Sequence, residues 1–269
     1  MNKGFVILAQ NTSKVNYVKC AEALAYSIKA CMPNAKVSII TDDGTSKQEL
    51  FDKIIPLPYG ELDPDSDWKL INDWQVYEAS PYEYTIKLEA DMYIPKSIDY
   101  WWDILKGRDV VISTTIRDFK QEISSVRAYR KFIDENKLPD TYNAITYFKK
   151  SETAEKFFKT VRNIFENWEQ YRATLICNKD EPATTDFVYA LASHIVGVEK
   201  TTLPTFTEMS MIHMKQFING TPSEDWRDVL VYEIVNKNIL RVNTVPQMYP
   251  FHYQIKDFCD TVIEHIESI

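Results

Sequence analysis

The first 57 residues alternate short apolar runs with stretches of helical spacing, and this alternation restricts the fold more than any other feature of the chain. Gly4-Phe5-Val6-Ile7-Leu8-Ala9 is a continuous apolar run that ends in Gln10-Asn11-Thr12. That is the pattern of a strand buried on both faces, as in a parallel sheet. From Asn16 to Cys31, apolar residues at Val18, Ala21, Leu24, Ala25, Ile28 and Cys31 follow helical spacing, and Pro33 stops the run. Lys36–Thr41 reads as a second strand running into the turn Asp42-Asp43-Gly44. A helix is expected near Ser46–Phe51, and Lys53–Leu57 makes a third strand. The order β-α-β-α-β implies a right-handed α/β layer that meets its ligands at the carboxyl ends of the strands.

The remainder of the chain continues in this style. Tyr59–Trp68 is a polar loop, Leu70–Glu78 a helix, and Tyr84–Leu88 a strand that runs into the acidic segment Leu88-Glu89-Ala90-Asp91-Met92-Tyr93. Helices are predicted over Ile98–Leu105, Glu152–Trp168, Asp186–His194 and Phe258–Ile266, with strands at Asp109–Ser113 and Tyr142–Phe148. No repeat, low-complexity segment or linker interrupts the chain. It reads as one domain over residues 1–269, in segments 1–95 and 96–256 with a C-terminal helix over 257–269.

Composition removes several classes. Six glycines in 269 residues, and no GxGxxG, argue against Gly-rich phosphate loops and dinucleotide oxidoreductases. A net charge of −8 argues against a constitutive polyanion binder, while leaving room for a local basic strip. Aromatic residues, at 13%, exceed what a core alone requires and suit a cleft that stacks bases or sugars. Cys20, Cys31, Cys177 and Cys259 lack metal-ligand spacing and read as free thiols of a reducing compartment. The apolar start is too short for a signal h-region or a membrane span, so a soluble, cytoplasmic protein without a membrane partner is expected.

Glu89 and Asp91 lie two apart directly after a strand, so alternation sets both carboxylates on one side of the chain at the sheet's carboxyl edge. Such a pair suits a hard divalent cation, Mn²⁺ or Mg²⁺, that neutralises a diphosphate; a solvated strand end is the plainer alternative. The segment resembles the DxD motif of GT-A glycosyltransferases, with Glu in place of the first Asp, and most of all the pattern of glycosyltransferase family 8, the glycogenin group. Four other segments follow in that family's order. Leu8-Ala9-Gln10-Asn11 with Tyr17 and Ala21 resembles the strand and helix that hold uracil. Pro139–Ala144 resembles the Asn-Ser-Gly turn facing the donor sugar. Ala183-Thr184-Thr185-Asp186-Phe187 resembles the Asp-Gln segment at a helix start, and Pro250–Lys256 the terminal His…Lys motif. Ala144 and Ile145 depart from the family's Ser and Gly, and Lys256 stands closer to His252 than the family spacing.

The resemblance implies an α/β fold of GT-A type, a Rossmann-like central mixed sheet flanked by helices. It implies metal-dependent, retaining transfer from a UDP-sugar to an acceptor hydroxyl. Glu89, Asp91 and His252 would hold the metal; Lys256 would hold the diphosphate; Ala9, Gln10, Asn11 and Tyr17 would bind the base. Asp42 is a further candidate for the base or ribose. Lys69 or Asn72 either closes over the diphosphate or is ordinary helix surface. Asp186, with Asn143, is the catalytic candidate, a carboxylate that steadies an oxocarbenium-like centre; an N-cap role fits the same residue. His213 rivals His252 as the functional histidine, within a Met-rich segment that also suits core packing.

Between the acidic segment and Asn143, the chain carries Arg117, Lys120, Arg127, Arg130 and Lys131 interleaved with Phe119, Tyr129 and Phe132. These read as a solvated helical face or as a phosphate-tracking strip able to receive a flipped base. The second reading accords with a resemblance, in size and style, to small bacteriophage-encoded glycosyltransferases that place sugars on hydroxylated cytosines of phage DNA. A glycan or protein acceptor is the alternative. Two other functions remain open from sequence: a sugar-phosphate nucleotidyltransferase, for which Gln10–Ser13 lacks the expected Gly-rich basic loop, and a nucleotide-sugar-binding protein without turnover.

Overall fold

The computed structural model describes residues 2–124, 130–176 and 183–268. Four parallel strands form the nucleus: β1 (Lys3–Leu8), β2 (Val37–Ile40), β3 (Lys53–Ile55) and β4 (Tyr84–Glu89). β1 lies between β2 and β4, and β3 pairs with the outer side of β2. Met92–Tyr93 (β5), Val110–Ser113 (β6), Thr115–Arg117 (β7) and Tyr142–Lys149 (β8) follow. β8 pairs antiparallel with β4 and β6, which gives a mixed six-stranded sheet in the order β3-β2-β1-β4-β8-β6.

Alternation along these strands divides the core in two. Phe5 and Ile7 of β1 face a layer that includes the Tyr17–Cys31 and Phe258–Glu267 helices, while Val6 faces one that includes the Glu152–Glu166 and Thr185–Val196 helices. Two of those helices are capped as their sequences suggest. The Asn16 side chain accepts from Lys19 N (2.8 Å), and Ser151 Oγ accepts from Ala154 N (3.3 Å).

Two expected helices are shorter than predicted, and a third is wound differently. Ser46–Phe51 yields only the 3₁₀ turn Gln48–Leu50, and Ile98–Leu105 only Trp101–Leu105. Leu70–Glu78 becomes a 3₁₀ helix, Lys69–Gln75, followed by one α-turn, Val76–Ala79. The tighter winding buries Asn72, Asp73 and Gln75 together. Asn72 and Gln75 then accept from Leu62 N (3.1 Å) and Tyr59 N (3.0 Å), which ties down the preceding polar loop.

Two smaller sheets escape sequence periodicity. Ser210–His213 (β9), Tyr232–Val235 (β10), Ile239–Val242 (β11), Val245–Pro246 (β12) and Phe251–His252 (β13) are too short to show a period. β5, β13, β9 and β7 form a four-stranded sheet, and β10–β12 form an antiparallel meander. The register sets His252 beside Met92 on one side and beside His213 on the other.

Among the described residues, no helix is long and apolar enough to cross a membrane. Cys20, Cys31 and Cys259 are free thiols, as expected, and Cys177 lies outside the described residues.

Gly4 is required by close approach rather than by backbone angle. A Cβ there would lie 2.4 Å from the Tyr82 ring, whose hydroxyl is 2.6 Å from Ser38 Oγ in the core. Gly4→Ala must displace that ring and is expected to cost about 1–3 kcal/mol, read as a lowered Tm. An unchanged melting curve would show that the Tyr82 ring moves aside freely.

Candidate functional site

β4 ends at Glu89, level with Leu8 at the end of β1, so the acidic segment leaves the sheet at its carboxyl edge. β5 then turns the chain into the four-stranded sheet, where β13 pairs with it and Tyr253 N donates to Asp91 O (3.3 Å). This backbone pairing carries His252 to the acids. His252 Nε2 lies 2.9 Å from Asp91 Oδ2 and 3.5 Å from Glu89 Oε2, and Lys256 Nζ donates to the same Asp91 oxygen. One ligand atom from each of Glu89, Asp91 and His252 falls within 4.8 Å of the others. Gln254, at φ 61° in the left-handed region, brings its amide nitrogen within 3.0 Å of His252 Nε2.

The electrostatics follow from burial and pairing. Burial raises the Asp91 carboxyl, but His252 and Lys256 outweigh it and hold the group well below the usual aspartate range. Glu89 is pushed the other way, chiefly by burial, with His252 and Lys87 only partly compensating. Burial works against the Lys256 ammonium, yet Asp91 and Tyr17 hold its pKa above that of an ordinary lysine. Two carboxylates and an imidazole in this arrangement fit a divalent cation: the oxygens suit a hard ion and the nitrogen extends the range to Mn²⁺.

The cluster sits in a cleft of about 540 Å³ that runs from β1 to the Thr185–Val196 helix. Of the base-site candidates, Gln10 and Tyr17 line it; Ala9 and Asn11 do not, and Asp42 lies off it on the exposed surface. Asn11 Oδ1 accepts from Val18 N (3.0 Å) and Asp42 Oδ1 from Leu57 N (3.0 Å), so both serve local backbone. Gln10 donates to Glu61 Oε2 (2.5 Å) and keeps its Oε1 buried without a hydrogen-bond partner. Lys69 lines the cleft, with its ammonium 3.0 Å from Asp63 O and 3.4 Å from Glu61. Asn72 is fully buried and braces the loop.

At the far end, Asp186 lies inside the first turn of its helix and faces the cleft. It does not cap that helix. Its Oδ1 accepts from Asn143 N (2.8 Å) and its Oδ2 pairs with Arg130 Nη1 (2.9 Å). Asn143 is fully buried behind the lining, and Ala144 reaches the cleft instead. The Asn143 side chain joins Asp73, which also pairs with Lys87 Nζ (2.7 Å). His213 lines the cleft beside His252 with its Nδ1 buried and unbonded; burial, then His252, Lys215 and Arg130, hold its pKa well below the usual histidine value.

The basic strip is corrected. Arg117 is buried, bonded to Ser210 Oγ (2.9 Å) and stacked on Tyr249 at 4.0 Å. Arg130 is 4% exposed and pairs with Asp140 (3.0 Å) as well as Asp186. Lys120 and Lys131 are exposed, whereas Arg127 and Tyr129 lie outside the described residues. Sequence spacing does not separate a buried, paired arginine from one on the surface. Lys87, Asp73 and Gln254 were missed; a lysine in the otherwise apolar Ile86-Lys87-Leu88 was the available signal.

Two solved structures are similar to this chain in overall fold. An active-site mutant of LgtC matches with a TM-score of 0.55 at 11% identity, over 98% of this chain and 95% of that one. The galactosyltransferase LgtC in complex with donor and acceptor sugar analogues matches with 0.54 at 11%, over 99% and 96%. The fold is that of the GT-A glycosyltransferases. No protein-family model and no curated protein sequence matches the chain.

The depressed Asp91 gives a pH test. Its contribution to stability is fully present above the ordinary aspartate pKa and is lost as pH falls through the lowered folded-state value. Urea unfolding of the metal-free protein is expected to lose stability progressively below about pH 4, with a shallower loss in Asp91→Asn. Equal slopes in the two proteins would refute the assignment.

Proposed function

We propose that the chain is a metal-dependent glycosyltransferase that takes a sugar from a UDP-sugar and passes it to an acceptor hydroxyl with retention, as the family 8 resemblance implies. The observation that carries this reading is the Glu89–Asp91–His252 cluster, with Lys256 upon it, in a cleft that Gln10 and Asp186 also line. The GT-A fold supports the same conclusion at the level of architecture.

In this reading each part of the cleft has a task. Uracil lies against Tyr17, with Gln10 beside it in the lining. Lys256 binds the diphosphate and, once released from Asp91, supplies a point charge to the leaving group. A Mn²⁺ or Mg²⁺ ion held by Glu89, Asp91 and His252 would supply further electrostatic stabilisation to the departing diphosphate. As the bond from the anomeric carbon to the phosphate oxygen breaks, the sugar gains oxocarbenium character, and Asp186 steadies that charge. The Asn143 amide and Arg130 hold the Asp186 carboxylate in one orientation.

The acceptor stays open to glycan, protein and nucleic-acid classes. The burial of Arg117 and Arg130 removes the main support for a DNA-tracking strip.

UDP is expected to bind more tightly with Mn²⁺ than without it in titration calorimetry. Asp91→Ala should abolish that gain and lower transfer or donor hydrolysis by about 100-fold or more. Should UDP bind equally well in both conditions, or Asp91→Ala keep full activity, the reading is wrong.

A further inference from the structure

Lys87 is 1% exposed in the middle of a strand whose neighbours Ile86 and Leu88 are fully buried. A lysine in such a place requires a partner, and Asp73, itself 5% exposed, stands 2.7 Å away. The pair is the centre of a larger assembly. Asp73 Oδ2 accepts from Asn143 Nδ2 (3.1 Å) and from the Tyr189 hydroxyl. Lys87 Nζ also donates to Asn143 O (3.4 Å), and Asn143 Oδ1 accepts from Thr146 Oγ1 (3.1 Å). Through its own N–H, Asn143 fixes Asp186.

Four elements therefore meet on one ion pair: β4, the Lys69–Gln75 turn, β8 and the Thr185–Val196 helix. Alternation along β4 aims Lys87 to the same side as Glu89, and both line the cleft. An apolar pair would pack the sheet against the turn equally well, without the desolvation cost of two buried charges. What it would lose is direction: Asn143 would no longer be held from both its amide and its carbonyl, and Asp186 would lose its fixed donor.

We infer that the Lys87–Asp73 ion pair is a positioning device that sets Asn143, and through it Asp186, at the sugar end of the cleft. The inference rests on the transferase reading. It assigns neither residue a bond to the reacting atoms. It separates the cleft into a nucleotide end, organised by Gln10, Tyr17 and Lys256, and a sugar end, organised by this pair.

That separation is measurable. Lys87→Met, Lys87→Arg, Asp73→Asn and the Lys87→Met/Asp73→Asn double variant are compared with the wild type in two assays. The first is calorimetric binding of UDP with Mn²⁺. The second is hydrolysis of UDP-glucose, UDP-galactose and UDP-N-acetylglucosamine. Lys87→Met is expected to lower kcat by about 100-fold, as a displaced catalytic group does, while UDP affinity stays within about threefold. Lys87→Arg should recover part of the rate. The double variant should be little worse than either single one, because both remove the same interaction. A kcat within about threefold of wild type, strictly additive losses, or UDP affinity that falls in step with kcat would each overturn the inference. A wild-type protein that fails to bind UDP with Mn²⁺ would instead remove the transferase reading and this inference with it. Normal UDP binding with an unmoved kcat removes the inference alone.

Discussion

The candidate site depends on one short pairing, that of β13 with β5. Two residue pairs, Phe251 with Tyr93 and His252 with Met92, bring together groups 161 positions apart in the chain. Closing so long a loop carries an entropic cost that two backbone pairs do not offset. The offset comes from the aromatic cluster behind them. Trp226, Phe251, Tyr253 and Phe258 are fully buried, and the Trp226 and Phe258 rings sit 5.5 Å apart. Trp226 Nε1 donates to Tyr253 O (2.9 Å) and so locks the strand segment itself. The aromatic surplus in the composition is thus spent partly on holding the C-terminal segment against the acidic one, and the cleft gains its histidine and lysine as a consequence.

Once the acids are gathered, their pairing differs in an informative way. Asp91 has His252 and Lys256, Asp73 has Lys87, and Asp186 has Arg130. Glu89 has only the His252 ring at 3.5 Å among the described residues. Desolvation pushes the Glu89 pKa up, and His252 and Lys87 offset it only in part. Within the cluster, two carboxylates thus face one ammonium, that of Lys256, which lies on Asp91 rather than on Glu89. The longer side chain of Glu89 also reaches farther from β4, which accommodates a partner on the cleft side rather than within the sheet.

Much of this was legible in the sequence, for physical reasons. Continuous apolar runs fixed β1 and β2 because strands buried on both faces leave no room for polar residues. The Glu152–Glu166 and Thr185–Val196 helices were legible because they span three turns or more and repeat their period. The two smaller sheets were not, because strands of two to four residues carry no period and are held by partners distant in sequence. Site residues divide the same way. Glu89, Asp91, His252, Lys256 and Asp186 all line the cleft. Asn11 and Asp42 do not, since short polar side chains satisfy nearby backbone donors first. Arg130 reached the site in a different role: in sequence it belonged to a surface strip, and in the fold it is the buried partner of Asp186.

Charge gives the last constraint on what the cleft receives. The chain carries a net −8, yet the cleft lining holds five lysine or arginine side chains (Lys69, Lys87, Arg130, Lys215, Lys256) against five carboxylates (Asp67, Asp73, Glu89, Asp91, Asp186). The excess negative charge therefore lies on the body outside the cleft. Such a body repels an extended polyanion, whose many phosphates must lie along the outer surface. It does not repel a compact anion that enters a balanced pocket, where low-dielectric walls strengthen each local cation. A divalent ion on the Glu89 side would turn that balance positive. The neutral lining inside an acidic body thus disfavours a long nucleic acid lying along the outer surface.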